Sequence, residues 1–196
     1  EGGGGVAIVD EATKIEKEKE RVRRLEELHT SRLASANATF SVAVDFGWEA
    51  EMTKKERLSL ATQIVHCHAF NKRQEAPVKL VLAGLGEGDT RGKLSKLDGF
   101  SHNWRLVEEV PTLPPNSVYL TADSPNVLGE LENDKCYVLG GIVDRNRLQR
   151  AAIDRAQSLS LPHARLPLEA CVDFEGTKVL TVNHCFEILC GWREGG

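Results

Sequence analysis

Residues 119–147 read YLTADSPNVLGELENDKCYVLGGIVDRNR, and this stretch decides the fold. It holds two short apolar runs of strand length, Val118–Thr121 and Tyr137–Val143. The first ends in Thr-Ala-Asp-Ser-Pro, and the second carries Gly-Gly-Ile-Val-Asp-Arg-Asn within and after it. A helix-like piece, Asn126–Glu132, is expected between them. Strand–helix–strand with polar, glycine-rich chain at the strand ends is the layout of an α/β sheet with a ligand crevice beyond its carboxyl edge. Asp144 stands at the mouth of the second run, followed by Arg145 and Arg147. Spacing alone favours Asp144 as the N-cap of the next helix, since Asp accepts backbone N–H bonds there. A chemical role is compatible with that one.

Upstream, Ser41–Phe46 is a β-branched strand that passes through Asp45, and Val78–Leu82 is a second strand. Between them Thr53–Phe70 is a helix, with Thr53 as cap and Glu56 three residues on as a capping box. Leu60, Ala61 and Ile64 are expected in the core, and Lys54, Lys55 and Arg57 on the surface. The glycine run from Gly84 to Asp89 follows a strand, as a dinucleotide-binding turn does. It lacks the third glycine, and Glu87 and Asp89 would repel a pyrophosphate, so a polar loop is the better reading. Lys93–Leu97 reads as one helical turn, and Trp104–Val110 as a further strand before Pro111, Pro114 and Pro115.

Downstream, Arg147–Leu159 reads as a helix with Leu148, Ala152, Ile153 and Ala156 on one face. Arg145, Arg147, Arg150 and Arg155 decorate its remainder. Ala164–Leu168 is a short extended segment, at an edge or facing a ligand, because Pro167 cannot donate a ladder bond. Val172–Lys178 turns around Gly176, and Thr181–Trp192 closes the chain as a helix. Five or six strands alternating with helices mean an α/β fold with a mainly parallel sheet.

The chain of 196 residues suffices for one such domain, residues 40–196, plus an appendage. Residues 1–9 resemble a linker or tag. Residues 10–39 form a charged helix and linker, the helix alternating Glu and Lys at i,i+4 spacing. No apolar run reaches the roughly 20 residues of a membrane helix, and no secretory leader is visible. An intracellular protein, in the cytoplasm and/or nucleus, is therefore expected. The five cysteines form no C-x-x-C pair, so packed free thiols are expected rather than a disulfide framework. His66, Cys67 and His68 point to different sides of a helix, so no metal site is expected. The net charge of −4 excludes a strongly basic nucleic-acid binder by bulk charge, though not one with a local basic face.

Four stretches carry a resemblance: YLTADSPNVL, YVLGGIVDRNR, ARLPLEACV and VLTVNHCFEIL, with VAVDFGWEAEMTKKE upstream. In this order and spacing, over roughly residues 40–192, they resemble the signature series of the tRNA purine-9 N1-methyltransferases, of the SPOUT superfamily. The resemblance implies a C-terminal trefoil knot, a rare exception to unknotted topology. It implies S-adenosylmethionine bent among three loops: Leu120, Thr121 and Ala122; Gly140, Gly141, Ile142 and Val143; and Leu166 and Leu168 with Thr181, Val182 and Asn183. The glycines would then let backbone approach the cofactor, a tight strand-end turn being the competing reading. Asn183 would bond the cofactor or cap its helix, and His184 packs.

Asp144 matches the proposed general base, and Asp45 another acidic position that helps to hold the base or the loops. The implied reaction is methyl transfer to N1 of the purine at tRNA position 9, guanine and/or adenine. The implied partner is tRNA, with the protein a monomer. Lys54, Lys55, Lys72, Arg73, Arg145, Arg147 and Arg150 are the candidate phosphate contacts. Weak RNA binding is expected from the low positive charge. Two other classes compete: a catalytically weak homologue serving as a tRNA- or protein-binding scaffold, and a nicotinamide-dependent oxidoreductase resting on the Gly84 loop alone.

Overall fold

The structure, a computed structural model, describes residues 13–20, 23, 24, 27, 40–74, 76–97, 100, 107–144, 147–168 and 180–195. Six strands form one sheet: β1 (Ser41–Asp45), β2 (Lys79–Ala83), β3 (Val107–Val110), β4 (Ser117–Leu120), β5 (Cys136–Gly140) and β6 (His163–Ala164). Their order is β3-β2-β1-β5-β4-β6, and every pairing is parallel. The central strands read as continuous apolar runs because helices cover both faces. All five residues of β1 are buried. The edge strand β3, by contrast, is Val-Glu-Glu-Val, with its glutamates exposed.

Side chains alternate across the sheet and sort the core into two layers. Val42, Val44, Leu80, Leu82, Tyr137 and Leu139 share one cluster with Leu60 and Ile64 of α1 (Lys54–Asn71) and Phe186 and Leu189 of α4 (Val182–Gly195). On the other face Ala43, Val81, Tyr119 and Val138 pack with Trp48 and with Ala156 of α3 (Ala151–Ser158). Helix α1 begins at the expected capping box. The Glu56 N–H donates to the Thr53 hydroxyl, and the Thr53 N–H donates to the Glu56 carboxylate at 2.7 Å. It ends at Asn71, whose buried amide pairs with both the N–H and the carbonyl of Val78 and so feeds the chain into β2.

Several expectations are corrected. Asn126–Glu132 is not a helix. Gly129 disfavours one, and the Leu128 N–H donates to the Arg165 carbonyl while the Arg165 N–H donates to that of Asn126. The segment is thereby recruited as a parallel bridge beside β6. Lys93–Leu97 is displaced by a short helix, α2 (Asp89–Leu94). Arg57 is not a surface charge: it is half-buried, binding Asp89 at 2.8 Å and the carbonyls of Glu49 and Met52. The second apolar run stops being strand at Gly140, and α3 starts at Ala151 rather than Arg147.

The linker 31–39, residues 101–106, the turn Val172–Lys178 and Cys171 lie outside the described residues. Residues 13–20 are helical and exposed. Cys67, Cys136, Cys185 and Cys190 are free thiols. Among the described residues no metal-ligand cluster occurs, and no helix is long and apolar enough to cross a membrane.

Candidate active site

Strand order locates a crevice. The chain leaves β1 through α1 toward β2 on one side, and leaves β5 through α3 toward β6 on the other. Where connections diverge in this way, a parallel sheet opens a crevice at its carboxyl edge. The two strands meet there at Asp45 and Gly140, which are partners in register. The next residue, Gly141, donates its N–H to the Asp45 carbonyl at 2.9 Å. A Cβ on Gly141 would lie 2.6 Å from that same oxygen. Packing against β1 therefore requires this glycine. Gly140 differs: an added Cβ would meet ordinary contacts at 3.5 Å from Ile142 and Trp48. Nothing in the protein's own packing demands glycine there.

The loop that follows carries Asp144 and rests on residues 45–56. The Val143 N–H donates to the Met52 thioether at 3.4 Å, and Arg147 donates to the Glu51 carbonyl at 2.9 Å and to the Glu56 carboxylate at 3.4 Å. The Asp144 carboxylate accepts the Leu148 N–H. It thus caps a turn within the loop, not α3, whose N-cap is Arg150 in the left-handed region at φ 59° without a side-chain cap. That bond fixes the orientation of the carboxylate.

Asp45 is 2% exposed and heavily bonded. Arg155 grips it with Nε on Oδ2 at 2.5 Å and Nη2 on Oδ1 at 3.1 Å. The Tyr119 hydroxyl donates to Oδ2 at 3.1 Å, and the Gly47 N–H to Oδ1 at 3.0 Å. The guanidinium also lies over Trp48, 5.2 Å from its ring centroid. The Asp45 hydrogen bond raises the Arg155 pKa further, and burial, then the neighbouring Asp45 charge, pushes the Tyr119 hydroxyl up. Arg155 was expected to be a surface decoration, and this is corrected. The available signal was Asp45 itself, since a carboxylate at the end of a buried strand needs a cation. Arg155 borders the apolar stripe of α3 that covers this face.

The three loops of candidate cofactor residues converge in part. Leu120, Val143, Leu166 and Val182 belong to one apolar cluster, with Val143 and Leu166 half-buried. The Thr121 N–H donates to the Ala164 carbonyl at 2.9 Å, joining the first loop to the third. Thr121 is buried, Ala122 exposed, and Ile142 and Leu168 half-buried. The start of α4 is fixed by buried Gln63, whose side-chain oxygen accepts the Val182 N–H at 2.9 Å. The Thr181 hydroxyl donates to the Asn183 side chain and accepts the His184 N–H, so Thr181 is the residue at the head of the helix. His184 is exposed.

Of the candidate phosphate contacts, Lys54, Lys55, Lys72, Arg73, Arg147 and Arg150 are exposed, and Arg145 lies outside the described residues. Lys54 is 3.9 Å from Asp89, Arg150 is 3.5 Å from Asp154, and Arg147 is occupied as described.

Residues 7–196 match the model of the family described as tRNA (guanine(9)-N(1))-methyltransferase TRM10/TRM10A. A curated tRNA (guanine(9)-N1)-methyltransferase of Schizosaccharomyces pombe is 32% identical over 165 residues, 80% of this chain and 54% of that protein. Human tRNA methyltransferase 10 homolog A is 34% identical over 164 residues, 81% of this chain and 48% of that protein. The chain spans about half the length of these curated relatives. Among solved structures, spTrm10(74) superposes with a TM-score of 0.72 at 31% identity, covering 80% of this chain and 88% of that one. A full-length spTrm10 crystallised as a complex with SAH superposes with a TM-score of 0.71 at 31% identity, covering 80% and 89%.

Proposed function

Because the chain belongs to the tRNA (guanine(9)-N(1))-methyltransferase TRM10/TRM10A family, we propose that it methylates N1 of the purine at position 9 of tRNA, guanine first, with S-adenosylmethionine as donor. The observation that carries the reading is that the loop ending in Asp144 leaves β5 at the switch-point crevice, beside the cluster that joins the three candidate cofactor loops. The residues present fit the donor. Half-buried Val143 and Leu166, with Leu120 and Val182 behind them, offer an apolar wall for a flat ring. Gly140 carries no side chain where the protein's own packing would tolerate one, as close approach of a ligand requires.

When bound, the donor would supply an electrophilic methyl group on a sulfonium sulfur; the S–C bond breaks as N1 attacks, its electron pair stays on sulfur, and S-adenosylhomocysteine leaves as a neutral thioether. Guanine N1 carries a proton, and Asp144 accepts it as the new N–C bond forms. Adenine N1 carries none, so with that base Asp144 would orient the ring and balance charge. Holding the base in line is the larger contribution, since alignment removes the entropic part of the barrier. The base is stacked in the tRNA core and must be splayed out to reach the crevice. Lys54, Lys55, Lys72, Arg73, Arg145 and Arg150 then serve as phosphate contacts, and Arg147 divides its donors between RNA and Glu51. The reading also carries a C-terminal trefoil knot and a monomeric enzyme, the latter checked by light scattering.

The test is incubation of the protein with labelled S-adenosylmethionine and unmodified tRNA transcripts carrying G, A or U at position 9. Label at N1 of G9, absent from the U9 transcript, is the expected result. Cofactor binding without transfer to any transcript would overturn the reading. Transfer to A9 as well would extend it to both purines.

A further inference from the structure

The segment between Gly141 and α3 is tied at both ends to a single residue. At its near end the Gly141 N–H binds the Asp45 carbonyl, and the Gly141 Cα is pressed so close to that oxygen that no side chain fits. At its far end Arg155, on α3, reaches back across 110 residues of sequence to grip the Asp45 carboxylate with two donors. The carboxylate is steadied from two further elements by the Gly47 N–H and the Tyr119 hydroxyl. Arg155 lies in a slot shaped to it. Trp48 stacks beneath the guanidinium, and a Cβ on Gly47 would overlap it. Trp48 also borders Gly140 and meets Tyr119 edge-on, its ring centroid 6.3 Å away. Asp45 thus joins both margins of one loop, its carbonyl bonded to Gly141 and its carboxylate to Arg155.

We propose that Arg155 is a positioning residue. By closing its fork on Asp45 it fixes the far end of the loop that presents Asp144, and so fixes where the carboxylate stands against the purine. The proposal rests on the methyltransferase reading of Asp144. Asp45 thereby acts through the loop and not on the substrate.

An arginine fork sets distance and angle together, whereas a lysine keeps the charge alone. Arg155→Lys is therefore the informative variant, with Arg155→Gln beside it. Single-turnover methyl transfer is expected to fall about 10- to 100-fold in Arg155→Lys, as a displaced catalytic group does, and further in Arg155→Gln. Affinities for S-adenosylhomocysteine and tRNA are expected to change less than roughly threefold, because binding and chemistry are separable readouts. Amide hydrogen exchange at residues 141–144, 147 and 148 is expected to accelerate while β1 and β5 stay protected. If Arg155→Lys does not fold, the neutral pair Asp45→Asn with Arg155→Gln leaves no orphan charge and is read in the same way. Unchanged transfer in a folded variant, or exchange rising equally in the strands, overturns the proposal. Failure of the functional reading is distinct: the wild-type protein would then transfer no methyl group, while the exchange experiment would still report whether Arg155 holds the loop.

Discussion

Gly140 and Gly141 are adjacent and both are expected cofactor contacts, yet the structure gives them different surroundings. Gly141 is glycine because the Asp45 carbonyl occupies the space of a side chain. Gly141→Ala is expected to cost about 1–3 kcal/mol, the usual range for forced overpacking, seen as a lowered Tm. Gly140→Ala meets only ordinary contacts. It is expected to leave stability within about 0.5 kcal/mol while weakening S-adenosylhomocysteine binding in calorimetry. Equal Tm losses in the two variants would contradict this division. The distinction was not legible in the sequence, because the oxygen concerned belongs to a distant strand. Arg150 gives a prediction of the opposite sign. It holds a left-handed backbone at φ 59° that costs a side chain roughly 1–2 kcal/mol, and glycine almost nothing. Its exposed pair with Asp154 returns little. Arg150→Gly should raise Tm, and an unchanged or lower Tm would show that the turn depends on the arginine.

At the scale of elements, what was readable was what local chemistry decides. The Thr53–Glu56 box announced helix α1, and the structure contains both of its bonds. The Glu56 carboxylate is held below its usual pKa range, first by the Thr53 N–H and also by Arg147. Its contribution is therefore present above the ordinary carboxylate pKa and is lost as pH falls through the lowered one. A Glu56→Ala variant, which removes the carboxylate that accepts the Thr53 N–H, should lower Tm at neutral pH and differ less from wild type in acid. Elements fixed by tertiary partners are not legible in local sequence. Asn126–Glu132 has helical spacing but is captured by Arg165, and Arg155 has the pattern of a surface residue but answers Asp45. Between α1 and α4, Cys67 and Cys190 are buried and Cys185 is half-buried, its thiol pushed up to about 11 by burial. Burial pushes the Cys67 and Cys136 thiols up as well. Native alkylation near pH 8, followed by mass spectrometry, should modify the buried Cys67, Cys136 and Cys190 only as fast as the protein unfolds.

At the scale of the whole molecule, alternating apolar runs and helical segments sufficed for a parallel sheet. They did not give its order, because placing β5 between β1 and β4 depends on which strand faces complement one another. That insertion creates the crevice and brings Asp45 beside the Asp144 loop. The charge distribution makes a separate prediction. With a net charge of −4, tRNA affinity should be weak, about micromolar or poorer at physiological salt, with a shallow salt slope. Tight binding with a steep slope would contradict it.

The role of Asp144 is tested by the single-turnover rate of methyl transfer to a G9 transcript by Asp144→Asn beside wild type, with S-adenosylhomocysteine affinity measured on both. The variant's rate is expected to be lower by about 10²- to 10⁴-fold, the usual contribution of a general base, at unchanged affinity. Equal rates at equal affinity would show that the proton leaves by another route and that Asp144 is not the base.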